Sequence, residues 1–114
     1  MYTYRAEILN VVDGDTVDME IDLGFNIRIT ERVRLFGIDA PETRTIDHDE
    51  KLRGYAATEF LISHIPPDGM VTIKTRFDKR GKFGRILASI FLDDGTDLNL
   101  HMVAEGHAEP YMLD

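Results

Sequence analysis

With 114 residues, 43% of them apolar and 30% charged, the chain has material for one modest core and reads as a single domain over residues 1–114. It has no cysteine, which excludes disulfides and thiolate metal sites. Thirteen basic against twenty-one acidic side chains leave a net charge of −8, which argues against a protein that coats nucleic acid non-specifically. No apolar run approaches the roughly 18 residues of a membrane span, and the opening MYTYRAEILN lacks a basic segment followed by an apolar one. The expectation is an intracellular protein without membrane contact.

Residues 4–13, YRAEILNVVD, read as a strand closed by a turn at Asp13-Gly14-Asp15. Residues 16–23 alternate strictly, with Val17, Met19, Ile21 and Leu23 on one face and Thr16, Asp18, Glu20 and Asp22 on the other, as in a half-buried strand. Ile27 to Ile38 is long and β-rich, and its charged Thr30-Glu31-Arg32 interruption is expected to be a bulge or bend.

A polar loop follows over 43–51. Asp47 with Glu50 forms a capping box ahead of a helix expected over Lys51–His64, whose stripe is Leu52, Ala56 and Phe60, widened by Ala57 and Leu61. Pro66-Pro67-Asp68-Gly69 ends it. Residues 70–75 and 86–92 read as two more strands, and Asp94-Gly95 as a turn. Asp97 caps a shorter helix over Leu98–Glu105, stopped by Gly106. Three strands, a helix, two strands and a helix predict a mainly β fold with α, an OB-like five-stranded Greek-key barrel with two helices.

Charge is unevenly placed. Residues 74–85 hold six of the thirteen basic side chains and one acid, while residues 86–114 hold six acids and no Lys or Arg. The first segment reads either as a guide for a polyanion or as a solvated hairpin. His48, His64, His101 and His107 show no ligand spacing and read as surface or structural residues.

Three acids end β-segments: Asp15, Asp39 and Glu42. Pro41 fixes its own φ and extends Ala40, holding Asp39 and Glu42 at a set separation. Two carboxylates about 4 Å apart repel by roughly 4 kcal/mol at an effective dielectric near 20. Protonation, an arginine partner or a bound cation would each offset that repulsion. Oxygen ligands without Cys or clustered His favour Ca²⁺ or Mg²⁺ over zinc. Arg34 shares strand parity with Phe36 and Ile38, so it is expected on an apolar face where it needs an anionic partner; Arg85, at the start of an apolar strand, is in the same position. Two arginines and three acids at strand ends have the composition of a phosphoryl-transfer site.

The ordered set DGDTV (13–17), VRLFGIDAPET (33–43) and KFGR (82–85), with NLHMVAEGHA (99–108) behind it, resembles the staphylococcal nuclease (thermonuclease-like) family over nearly the whole chain. The resemblance implies a nuclease that cleaves phosphodiesters of DNA and RNA at the 5′-oxygen, leaves 3′-phosphates, and favours single-stranded substrate. It implies that Asp15 and Asp39 ligate Ca²⁺ through their side chains and Ala40 through its carbonyl, with Mg²⁺ the less favoured ion. It implies Glu42 as general base or as the residue that positions the attacking water near the metal, and Arg34 and Arg85 as the groups on the scissile phosphate.

Lys82 would meet a terminal phosphate. Phe83 stands where many relatives have tyrosine and can stack but not hydrogen-bond, and Tyr111 is matched to a tyrosine that flanks the nucleotide. Many relatives continue into a third helix beyond the position of Asp114, which raises an expectation of a homo-oligomer or covering partner. Two alternatives stand beside the nuclease: a catalytically weak or inactive domain that binds nucleic acid or protein, and an assembly protein that merely binds Ca²⁺.

Overall fold

The alternation of residues 16–23 builds the first wall of a barrel. In β2 (Thr16–Asp22), Val17, Met19 and Ile21 are buried, while Asp18, Glu20 and Asp22 face outward. The computed structural model, which describes residues 2–78 and 85–111, pairs β2 antiparallel with β1 (Tyr2–Asp13) and with β3 (Arg28–Leu35). Register shifts between Ile8 and Asn10 and between Val11 and Asp13 let the long β1 bend. The first half of β1 pairs with β5 (Met70–Asp78), which pairs antiparallel with β6 (Arg85–Phe91). A parallel β3–β6 pairing closes the barrel in the order β1-β2-β3-β6-β5. The fold is an OB-like five-stranded barrel with two helices. Among the described residues no helix is long and apolar enough to cross a membrane.

The third strand departs from expectation. Thr30, Glu31 and Arg32 are no bulge: they pair in unbroken register with Glu20, Met19 and Asp18. The break comes later, at Phe36-Gly37, where Gly37 takes φ +80° and restarts the chain as β4 (Ile38–Asp39). This changes the parity of the site. Val33 and Leu35 face the core, so Arg34 projects from the outer face of the barrel, and Ile38 is buried by the turn rather than by sharing Arg34's face.

Helix α1 (His48–His64) starts three residues earlier than expected, capped by the Asp47 carboxylate, which accepts from the backbone N–H of Asp49 and Glu50 at 3.0 and 3.2 Å. Its buried stripe is Gly54, Ala57 and Leu61; Leu52 is 54% exposed and Phe60 is half-buried. The helix turns its smallest residues inward because it lies almost in contact with backbone beneath it. A Cβ on Gly54 would stand 2.6 Å from the Glu42 carbonyl oxygen, and one on Gly14 would stand 2.9 Å from the Cβ atoms of both Ala40 and Ala57. Helix α2 (Leu98–Ala104) is capped by Asp97, and β7 (Glu109–Pro110) pairs with β4.

Candidate active site

One mouth of the barrel gathers the acids. The Asp13–Thr16 turn places Asp15 where it is only 6% exposed. One carboxylate oxygen accepts from the Thr16 hydroxyl at 2.9 Å, the other from the Ala40 backbone N–H at 2.9 Å, and the Asp15 carbonyl accepts from the Leu35 N–H at 2.8 Å. These bonds fasten the β1–β2 turn to the end of β3 and to β4. Asp13 accepts from the Thr43 hydroxyl at 2.7 Å, which ties the loop after Glu42 to the same turn.

Arg34 bridges the acids. Its Nη1 lies 3.5 Å from Asp15 Oδ2, and its Nη2 lies 3.2 Å from Asp39 Oδ1 and 3.3 Å from the Ile38 carbonyl. The guanidinium side chain is 19% exposed, so these charges interact in a medium drier than open water. Three contacts do not exhaust its five N–H donors. Arg85 opens β6, its backbone opposite Asp78 of β5 and two residues before Leu87, the partner of Arg34; by strand alternation both arginines stem from the outer face of adjacent strands. Lys82 and Phe83 lie outside the described residues.

Beside the bridge is a cleft of about 310 Å³. Asp39 to Glu42 form one wall, Glu50 and Arg53 of α1 a second, and residues 106–109 a third. Four carboxylates line it against one guanidinium. The Glu42 carboxyl is pushed above the usual carboxylate range, first by partial burial and then by the negative charges of Asp13, Asp15, Asp39 and Glu50. Such a field repels a phosphate and attracts a cation. Tyr111 is drawn in from the far end of the chain: its N–H donates to the Gly37 carbonyl at 2.8 Å, and its ring centre lies 5.5 Å from Arg34 Cζ.

The donors suit a hard cation in kind, since Asp15, Asp39 and a backbone carbonyl at Ala40 are all oxygens. Among the described residues, however, no three acidic or imidazole side chains converge as a metal cage.

Residues 32–114 match the model of the staphylococcal nuclease homologue family. The chain belongs to that family. It is 31% identical over 107 residues to an uncharacterised endonuclease of Escherichia coli, with 94% of this chain and 61% of that protein covered. It is 33% identical over 101 residues to the thermonuclease of Staphylococcus intermedius, covering 89% of this chain and 56% of that one. Endonuclease YhcR of Bacillus subtilis is 28% identical over 116 residues, covering 96% of this chain and 9% of that one. The chain thus spans from about a tenth to about three fifths of the length of these relatives.

Two residues that shape the site were not singled out from the sequence. Gly54 admits α1 onto the backbone of Pro41 and Glu42, and its signal was a glycine inside a helical pattern, where it costs about 1 kcal/mol relative to alanine. Asn99 is 1% exposed; its Nδ2 donates to the carbonyls of Phe36 at 2.9 Å and Ala88 at 3.0 Å, and its Oδ1 accepts from the Ile90 N–H at 3.1 Å. It locks α2 to the barrel just behind the Phe36-Gly37 turn. Three of the four histidines read as surface or structural residues sit together: His64, His101 and His107 have ring centres 4.3, 5.4 and 4.4 Å from that of Phe60.

Proposed function

We propose that the chain is a Ca²⁺-dependent nuclease that hydrolyses phosphodiester bonds of single-stranded DNA or RNA. The observation that carries the reading is the Arg34 guanidinium held between Asp15 and Asp39, with Glu42 three residues on in a cleft of excess negative charge. Asp15, Asp39 and the Ala40 carbonyl would hold the ion, and Mg²⁺ is the less favoured occupant. A bound divalent ion supplies compensation for this negative charge and Lewis-acid polarisation of a phosphoryl oxygen.

The chain's own groups do the rest. Arg34 and Arg85 bind the non-bridging oxygens of the scissile phosphate and the charge that grows on them. Glu42 takes a proton from a water whose oxygen forms the new bond to phosphorus. The bond from phosphorus to the 5′-oxygen breaks, the 5′-oxygen takes a proton from solvent water and leaves as a hydroxyl, Glu42 returns its proton to solvent, and the other fragment ends in a 3′-phosphate. The raised carboxyl pKa of Glu42 makes it a better proton acceptor than an ordinary glutamate. Lys82, Phe83 and Tyr111 flank the nucleotide in this reading.

One observation favours a second reading. Among the described residues no three acidic or imidazole side chains converge as a metal cage, which suits a domain that holds nucleic acid with little catalysis. Digestion of denatured DNA and of RNA, with end-group analysis of the products, separates the two. The nuclease reading expects 3′-phosphate ends from the parent and at least a hundredfold slower cleavage by Glu42→Gln. A Glu42→Gln variant as fast as the parent would remove Glu42 from the mechanism. No cleavage of either polymer, with binding intact, would establish the second reading.

A further inference from the structure

Beyond the acidic mouth, the outer face of β3, β6 and β5 carries an ordered series of cations and rings. Across the sheet, Arg34 lies opposite Leu87, Leu87 opposite Arg76, and Ser89 opposite Lys74. Arg76 Cζ stands 4.2 Å above the centre of the Phe36 ring, and Lys74 Nζ stands 4.9 Å above that of Phe91. With Arg34 and Tyr111 at 5.5 Å, three cation–aromatic pairs follow one another outward from the acidic mouth.

Lys74 and Arg76 differ from the other basic residues of the barrel wall. Arg5, Arg28 and Arg32 are tied to Asp93, Glu20 and Asp18. Lys74 and Arg76 are exposed, and among the described residues neither has a carboxylate within 4.0 Å. The surface under them is firm. Leu87 points outward yet is only 3% exposed, and the backbone of Phe36 is pinned by its N–H to the Ala88 carbonyl at 2.8 Å and by Asn99 Nδ2 to its own carbonyl at 2.9 Å. In a chain of net charge −8, two exposed cations with no carboxylate partner among the described residues, each over an aromatic ring, are complementary to a polyanion that also has planar groups to stack.

We propose that Arg76 on Phe36 and Lys74 on Phe91 form a binding track for the single-stranded stretch of polynucleotide next to the scissile phosphate. The proposal rests on the nucleic-acid reading above and extends it to residues outside the cleft. Arg76 offers the open side of its guanidinium plane to a base, and Lys74 offers its ammonium to a phosphate. A duplex hides its base faces within its own stack, so the track takes a single strand.

The test is fluorescence anisotropy of an oligothymidylate of about 12 nucleotides, within the roughly 4–16 that one such barrel spans. It is run with the full chain and with chelator present, so that nothing is cut. Lys74→Ala with Arg76→Ala should weaken binding about tenfold, and the slope of log affinity against log salt should become shallower by about 0.7, the loss of the one phosphate contact that Lys74 makes on a single strand. Arg76→Lys should keep the slope but lose the parent's preference, about fivefold, for the oligothymidylate over an abasic strand of equal length. The track is overturned if the double variant binds within twofold of the parent at an unchanged slope, if the parent binds the abasic strand equally well, or if the parent does not bind. Turnover is scored separately: a chain that cuts nothing but loses affinity in the double variant keeps the track and loses the hydrolytic reading, while a chain that cuts normally with unchanged affinity does the reverse.

Discussion

Gly54→Ala tests how closely the helix positions Glu42, the proposed general base. A Cβ at residue 54 would meet the Glu42 carbonyl oxygen at 2.6 Å, its carbon at 2.7 Å and the Pro41 carbonyl oxygen at 2.9 Å, all of them backbone. Ordinary contact begins at 3.4 Å, so the 41–42 backbone or the helix must move by roughly 0.8 Å. Alanine in place of glycine would otherwise stabilise a helix interior by about 1 kcal/mol. The overpacking should cancel or exceed that gain, since such strain typically costs about 1–3 kcal/mol. The larger effect falls on chemistry, because a displacement near 1 Å in a reacting group costs on the order of a hundredfold. The assay is turnover of a single-stranded oligonucleotide, paired with a thermal melt. The expected result is a folded variant that has lost about 10- to 100-fold in kcat with KM little changed. A variant with a raised melting temperature and kcat within threefold of the parent would refute the claim that this contact positions Glu42.

Glu42 itself makes a pH prediction. Its carboxyl pKa is raised in the folded chain, so the stability it contributes is present at low pH and is lost as pH rises through the folded value. Glu42→Gln should therefore raise the melting temperature near neutral pH and leave it unchanged below about pH 4, by no more than about 2 °C because the side chain is exposed. An equal shift at both pH values, measured by differential scanning calorimetry, would contradict the cause assigned. Asn99→Leu should lower unfolding stability in urea by about 2–4 kcal/mol, since it leaves buried backbone groups of β6 and Phe36 without their partner; a loss below 1 kcal/mol would show that water replaces the amide.

Much of this was legible in the chain. Strict alternation over 16–22 fixes which face of β2 is buried, and the Asp47 and Asp97 caps announce both helices, because these signals depend on neighbours in sequence. Asp15, Asp39 and Arg34 were legible as a group through their motif, and the structure brings the three within 3.5 Å contacts. What was not legible depends on partners distant in sequence. A glycine at 37 can end a strand or sit inside one, and the contact of Tyr111 with its carbonyl, 74 residues away, goes with the break there. The inward face of α1 was legible in part: Ala57 and Leu61 are buried as expected, but apolar spacing also favours Leu52 and Ala56, which are exposed, whereas close backbone beneath the helix demands Gly54. Arg76 and Phe36 are 40 residues apart and meet only because β3 and β5 flank β6.

The central claim is that the acids at the barrel mouth hold a divalent ion beside a phosphodiester, and turnover of one single-stranded oligonucleotide as Ca²⁺ is titrated tests it most directly. The account predicts saturable activation, complete loss on chelation, and at least a tenfold higher Ca²⁺ requirement in Asp39→Asn than in the parent. Cleavage indifferent to chelator, or an Asp39→Asn variant with the parent's Ca²⁺ curve, would contradict it.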